Sequence, residues 1–151
     1  MLRISAPASI LMFLAAPVRA DIAAGVAAYD AGDYRAARAA WLICAQAGNP
    51  DAQTALAGFY ARGVGVARNF ATAAAWFRRT ARQGDPIAQL NLGELYASGR
   101  GVGRDLVAAW VWTGLAARAG NGWARNRRDA IARDMNPAQR RDAQRRLDAW
   151  R

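Results

Sequence analysis

Apolar side chains recur along this chain every third or fourth residue, and no stretch alternates with period two. Ala52, Leu56 and Tyr60 stand at i, i+4 and i+8, and so do Ala88, Leu92 and Tyr96. That spacing places each trio on one face of an α-helix. Ala37, Trp41 and Cys44 form a stripe at i, i+4 and i+7, as do Ala143, Leu147 and Trp150. The pattern predicts an all-α chain. Within its stripe, Cys44 reads as a small buried hydrophobe rather than a reactive thiol.

The stripes repeat. Gly48, Gly84 and Gly120 are 36 residues apart, and laying 48–83 over 84–119 without gaps gives fifteen identities. These include Pro50/Pro86, Gln53/Gln89, Leu56/Leu92, Gly63/Gly99, Gly65/Gly101, Val66/Val102 and Trp76/Trp112. A fixed period of this length is the mark of a solenoid, and 36 residues accommodate two helices with their turns. Asn49-Pro50 and Asp85-Pro86 place an acceptor at N-cap and proline at the first helical position. Gly63-Val64-Gly65-Val66 and Gly99-Arg100-Gly101-Val102 end the first helix, with Val66 and Val102 expected to tuck between the pair. Asn69 and Asp105 cap the second helices, whose Trp76 and Trp112 face inward. Shorter copies flank the full repeats: a partial pair over 22–47 with Asp33 as cap, and a C-terminal pair and cap over 120–151. There Asn136-Pro137-Ala138-Gln139 reads as a capping box opening a final helix. About four helix pairs are expected.

The first twenty residues break the pattern. Arg3 precedes an apolar run from Ala6 to Val18, too short for the roughly 20 residues of a membrane span, and Val18-Arg19-Ala20 leads into Asp21. This reads as a signal peptide over 1–20, and the expected product is exported, periplasmic and starts near Asp21. No later stretch approaches membrane length, so the repeat domain, 21–151, is expected to be soluble.

Composition then narrows the chemistry. The chain has 151 residues, 21 arginines, no lysine and no histidine. Without histidine there is no Ser-His-Asp triad and no imidazole metal ligand; without lysine there is no Walker lysine and no Schiff base. A lone cysteine excludes a disulfide framework. No cofactor, metal or catalytic residue is expected. Of 11 carboxylates only Glu94 is a glutamate, and no second carboxylate lies at helical spacing from it, as acid/base work would need. Gly99-x-Gly101-x-Gly103 follows a helix rather than a strand and lacks lysine, so it reads as a turn and not a phosphate loop. The net charge is +10, and nine arginines against four aspartates fall within 120–151.

The runs Asp51–Val66 and Ile87–Val102 carry Ala-Gln-x-x-Leu-Gly-x-x-Tyr followed by Gly-x-Gly-Val, with Ala57 replacing the glycine in the first copy. A later Ala-x-x-Trp completes a pattern that resembles the Sel1-like repeat, a relative of the tetratricopeptide repeat. The segment from Met135 to Trp150 is similar to the tail closing many exported bacterial members. The resemblance implies a short right-handed solenoid of antiparallel helix pairs that serves as a scaffold, holding partners on its concave face. It carries no catalytic residue over. Cysteine-rich exported relatives are associated with β-lactam binding or hydrolysis, and their hallmark disulfides are missing here.

The expected function is therefore a non-catalytic protein–protein interaction scaffold of the cell envelope. Its groove should be lined by the first helices of the pairs, with Arg62, Asn91, Glu94 and Arg100 as contacts. Trp110, two residues before the Trp112 core site and pointing to a different side, is an interface candidate if exposed. Arg141 and Arg145 point away from the apolar face of the last helix. They mark the alternative, an end that binds anionic envelope glycan or lipid. Export argues against nucleic acid. A β-lactam-binding or hydrolysing protein is the remaining reading.

Overall fold

An Asn or Asp stands immediately before seven of the helices, and in each case its side chain accepts from the first-turn backbone. In the computed structural model, which describes residues 16–150, the helices are α1 (Ala16–Asp30), α2 (Tyr34–Gln46), α3 (Pro50–Arg62) and α4 (Phe70–Arg82). They continue as α5 (Pro86–Ser98), α6 (Leu106–Arg118), α7 (Gly122–Arg133) and α8 (Pro137–Ala149). Asp33, Asn49, Asn69, Asp105 and Asn121 each accept from a backbone N–H at 2.9–3.0 Å. Asn136 and Gln139 form the reciprocal capping box that their spacing predicts. Each such cap stabilises its helix by about 1 kcal/mol, which explains why the boundaries follow the sequence closely. Among the described residues there is no strand. Most of the expected signal peptide, residues 1–15, lies outside the described residues, and α1 spans the expected cleavage point.

Consecutive helices pack antiparallel from α1 to α7. The inter-helix turns explain how the repeats lock together. Gly65 and Gly101 have φ of +63° and +70°, a region open to glycine at little cost. A Cβ on Gly65 would lie 2.7 Å from Tyr34 Cβ, and one on Gly101 would overlap the Phe70 carbonyl carbon. Each turn thus presses on the first residue of the preceding repeat's second helix. Val66 and Val102 are half-buried against the core, as expected.

The core has two large clusters and a small third one of Ala116, Ala117 and Ala124. Of the large ones, one gathers Ala37, Trp41, Cys44, Leu56 and Phe59; the other gathers Phe77, Leu92, Leu95, Trp112, Leu115, Ile131 and Leu147. Trp76 packs against both. Leu56 and Leu92 are fully buried, each worth about 2–3 kcal/mol in transfer from water. Cys44 is buried too, in the role its stripe predicts. A buried glutamine ties each repeat to the one before: Gln53 Nε2 donates to the Ala45 carbonyl at 2.9 Å, and Gln89 Nε2 to that of Ala81 at 3.1 Å.

The C-terminal end departs from the expected pairing. α8 packs principally on α6 rather than on α7. Gly114 makes this possible, since a Cβ there would come within 2.9 Å of Leu147 Cδ2. Arg118 fixes the end of α8 by donating to the Leu147 carbonyl at 2.6 Å and to Asp148 at 2.7 Å.

Candidate partner-binding surface

With Ala52, Gln53, Leu56 and Phe59 buried on α3, and Ala88, Gln89, Leu92 and Leu95 on α5, the remaining faces of these helices form a surface that continues onto α7. The period of 36 arranges that surface in rows. Asp51, Ile87 and Trp123 occupy one register position, Ala55, Asn91 and Arg127 a second, and Gly58, Glu94 and Ala130 a third.

Between α3 and α5 lies a groove of about 380 Å³ lined by Thr54, Gly58, Arg62, Phe77, Ile87 and Asn91, among others. Two of its lining residues are tied by Asp85, whose Oδ2 accepts from Thr54 Oγ1 at 2.7 Å while Oδ1 accepts from the backbone of Ile87 at 2.8 Å. One carboxylate therefore joins α3 to the start of α5. Arg62 folds back over Gly58, its Nη2 3.2 Å from where a Cβ would stand. It also lies in the last turn of α3, where a cation complements the helix dipole. Asn91, which lines the groove, donates through Nδ2 to the Ile87 carbonyl at 2.8 Å. Such a site offers a guanidinium for a carboxylate and an amide for a peptide backbone.

Glu94 is on the same surface one turn further on. It is half-buried and ion-paired with Arg127 of α7, so the pair braces two neighbouring first helices. The structure thus brings Arg62 and Asn91 into one groove, with Glu94 beside it.

Two expectations need correction. Arg100 does not line the groove: it sits in the turn between α5 and α6, with its guanidinium 5.0 Å from the Phe70 ring centroid and its Nε donating to Ser98 Oγ. The turn around Gly99 and Gly101 redirects the chain away from the first-helix face. Trp110 is not an exposed anchor either. It is half-buried against the core and lies under Arg128, 5.6 Å from its ring centroid, because α7 closes over it. Arg141 is exposed, as predicted, and Arg145 is exposed while pairing with Asp142 at 3.1 Å.

The exposed apolar residues of this surface are others. Ile87 is 59% exposed and Trp123 82% exposed. Sequence reading passed over both because neither belongs to a stripe. The available signal was their shared register in the first turn of α5 and α7. Near Trp123, Gly122, Arg125 and Asn126 form a shallow depression.

Comparison with known proteins agrees with this architecture. The Sel1 repeat model matches residues 50–85 and 86–121. The fold is similar to the crystal structure of a protective antigen from uropathogenic Escherichia coli strains that displays an SLR fold. The TM-score is 0.82 at 27% identity, over 88% of this chain and 29% of that one. It is also similar to a Sel1 repeat protein from Oxalobacter formigenes, with a TM-score of 0.63 at 33% identity, over 66% of this chain and 41% of that one. This chain therefore spans less than half the length of either protein. A search of curated proteins gave no match. The chain thus carries two consecutive Sel1 repeats over residues 50–121, set within a solenoid that has eight helices among the described residues.

Proposed function

We propose that this protein is a non-catalytic scaffold of the bacterial cell envelope that holds a partner protein on the surface formed by α3, α5 and α7. Sel1 repeat proteins are typically protein-interaction scaffolds. The observation that carries the reading to these residues is the row of Ile87 and Trp123 beside the groove of Arg62 and Asn91. Tryptophan and arginine are among the residue types that dominate interface energetics, and the exposed Ile87 adds apolar area between them. The envelope location rests on the signal-peptide pattern of residues 1–20.

The test is photo-crosslinking in intact cells from a photoreactive residue placed at Asn91. A discrete crosslinked partner is expected, reduced at least about tenfold by Trp123→Ser or Arg62→Glu, with helicity by circular dichroism unchanged. A crosslink indifferent to both substitutions overturns the assignment of this surface. A chain recovered in the cytoplasm that still contains residues 1–20 overturns the envelope location.

The arginine-rich end supports a second reading, an anionic glycan or lipid surface. Among the described residues Arg133 and Arg141 are exposed and make no ion pair, while Arg127, Arg128, Arg145 and Arg146 each pair with a carboxylate. Retention on an anionic resin that collapses with salt and disappears on Arg141→Glu/Arg145→Glu would favour it over the first.

A further inference from the structure

The unusual seat of α8 on α6 creates a second cavity, unrelated to the groove between the first helices. Leu147 presses on Gly114, and Arg118 holds the last turn of α8. The chain then turns extended at Trp150, whose ring meets that of Trp112 edge to face at 4.9 Å. Beside this pair a slot of about 400 Å³ lies between the two helices. Its walls are Ala108, Val111 and Trp112 from α6, and Arg146, Ala149 and Trp150 from α8. The volume falls within the range of small-molecule sites, about 300–1,000 Å³. Five of the six lining side chains are apolar.

The charge around the slot is unbalanced. Asp142 is shared by two guanidiniums, Arg146 at 2.8 Å and Arg145 at 3.1 Å. One carboxylate cannot neutralise both, so the trio retains a net charge of about +1. The other carboxylate of α8, Asp148, is engaged by Arg118 and Gln144. The slot therefore combines an aliphatic and indole wall with a guanidinium, Arg146, whose partner carboxylate is shared with Arg145. An apolar body with an anionic end satisfies both. A neutral apolar molecule would leave the cation unmatched, and a small hydrophilic anion would leave the walls uncovered.

We propose that the slot between α6 and α8 binds an aliphatic monocarboxylate, with its chain between Val111, Trp112 and Trp150 and its carboxylate at Arg146. This is independent of the scaffold surface on α3, α5 and α7.

Calorimetric titration of the full chain with decanoate and with decanol tests it, below the micellar range. Decanoate is expected to bind about tenfold more tightly than decanol, the difference made by one charge-assisted contact. Arg146→Gln should bring decanoate to the level of decanol and leave decanol unchanged. Ala149→Phe, at an exposed position of α8, should fill the slot and abolish both, with the circular dichroism spectrum retained. Equal binding of acid and alcohol overturns the role of Arg146. Absence of decanoate binding, or binding that survives Ala149→Phe, overturns the site itself.

Discussion

The repeats 48–83 and 84–119 share a skeleton and differ on the face they show. Leu56 and Leu92 are both fully buried, Gly65 and Gly101 both press on the preceding repeat, and Gln53 and Gln89 both reach back to a helix end. Yet Asp51 becomes Ile87, Ala55 becomes Asn91, and Gly58 becomes Glu94. The residues that set the helix geometry are held in register while the outward ones vary. One consequence is that the two copies can be used to test each other.

The largest contrast should come from the turns. Alanine at Gly101 must adopt positive φ and also overlap the Phe70 backbone, whereas alanine at Gly65 meets Tyr34 at 2.7–2.9 Å. Gly101→Ala is expected to cost about 3 kcal/mol or more in urea unfolding, and Gly65→Ala about 2 kcal/mol. Equal and small losses would mean that the turns do not lock the repeats.

A smaller contrast lies in the glutamines. Gln53 Oε1 accepts from Gln83 Nε2 at 3.3 Å, but the position equivalent to Gln83 in the next repeat is Ala119. Gln89 Oε1 is accordingly buried without a hydrogen-bond partner. Ala119→Gln should stabilise the protein and Gln83→Ala destabilise it, each by about 1 kcal/mol. Thermal midpoints moving in the same direction would break the proposed equivalence.

The smallest effect concerns the cap rather than the repeats. Hydrogen bonds, foremost that from Arg146, hold the Asp142 carboxyl below the ordinary aspartate value of 3.8; those from Gln144 and then Arg118 do the same for Asp148. Folded carboxyls of this kind bind protons less readily than in the unfolded chain. Their stabilisation is therefore present above pH 3.8 and is lost as pH falls below it. Hydrogen-exchange protection, corrected for the intrinsic rate at each pH, should fall at the end of α8 in that window before it falls in α3 or α5. Asp148 is exposed and Asp142 only half-buried, so a modest change is expected.

Much of this architecture was legible because the signals are local. Asn49-Pro50 and Asp85-Pro86 specify helix starts by chemistry contained within a few residues, and the glycine pairs specify where the first helices stop. The seat of α8 was not legible, because it depends on the fit of Leu147 to Gly114, 33 positions apart and outside the 36-residue register. Arg62 and Asn91 could be placed on a common face from helical spacing alone. Arg100 could not, since its direction is set by a turn of positive-φ glycines. Trp110 looked available because nothing in α6 covers it; its cover, Arg128, comes from the next helix. Trp123 went unnoticed for the converse reason, as exposure is a property of what fails to pack nearby.

The contact of Gly101 with Phe70 bears on how such a protein can change. Because backbone sets the pitch there, the interval between Asp51, Ile87 and Trp123 is independent of which side chains stand at those positions. The surface behaves like a keyboard with fixed spacing, on which individual keys can be exchanged while the distance between them is kept.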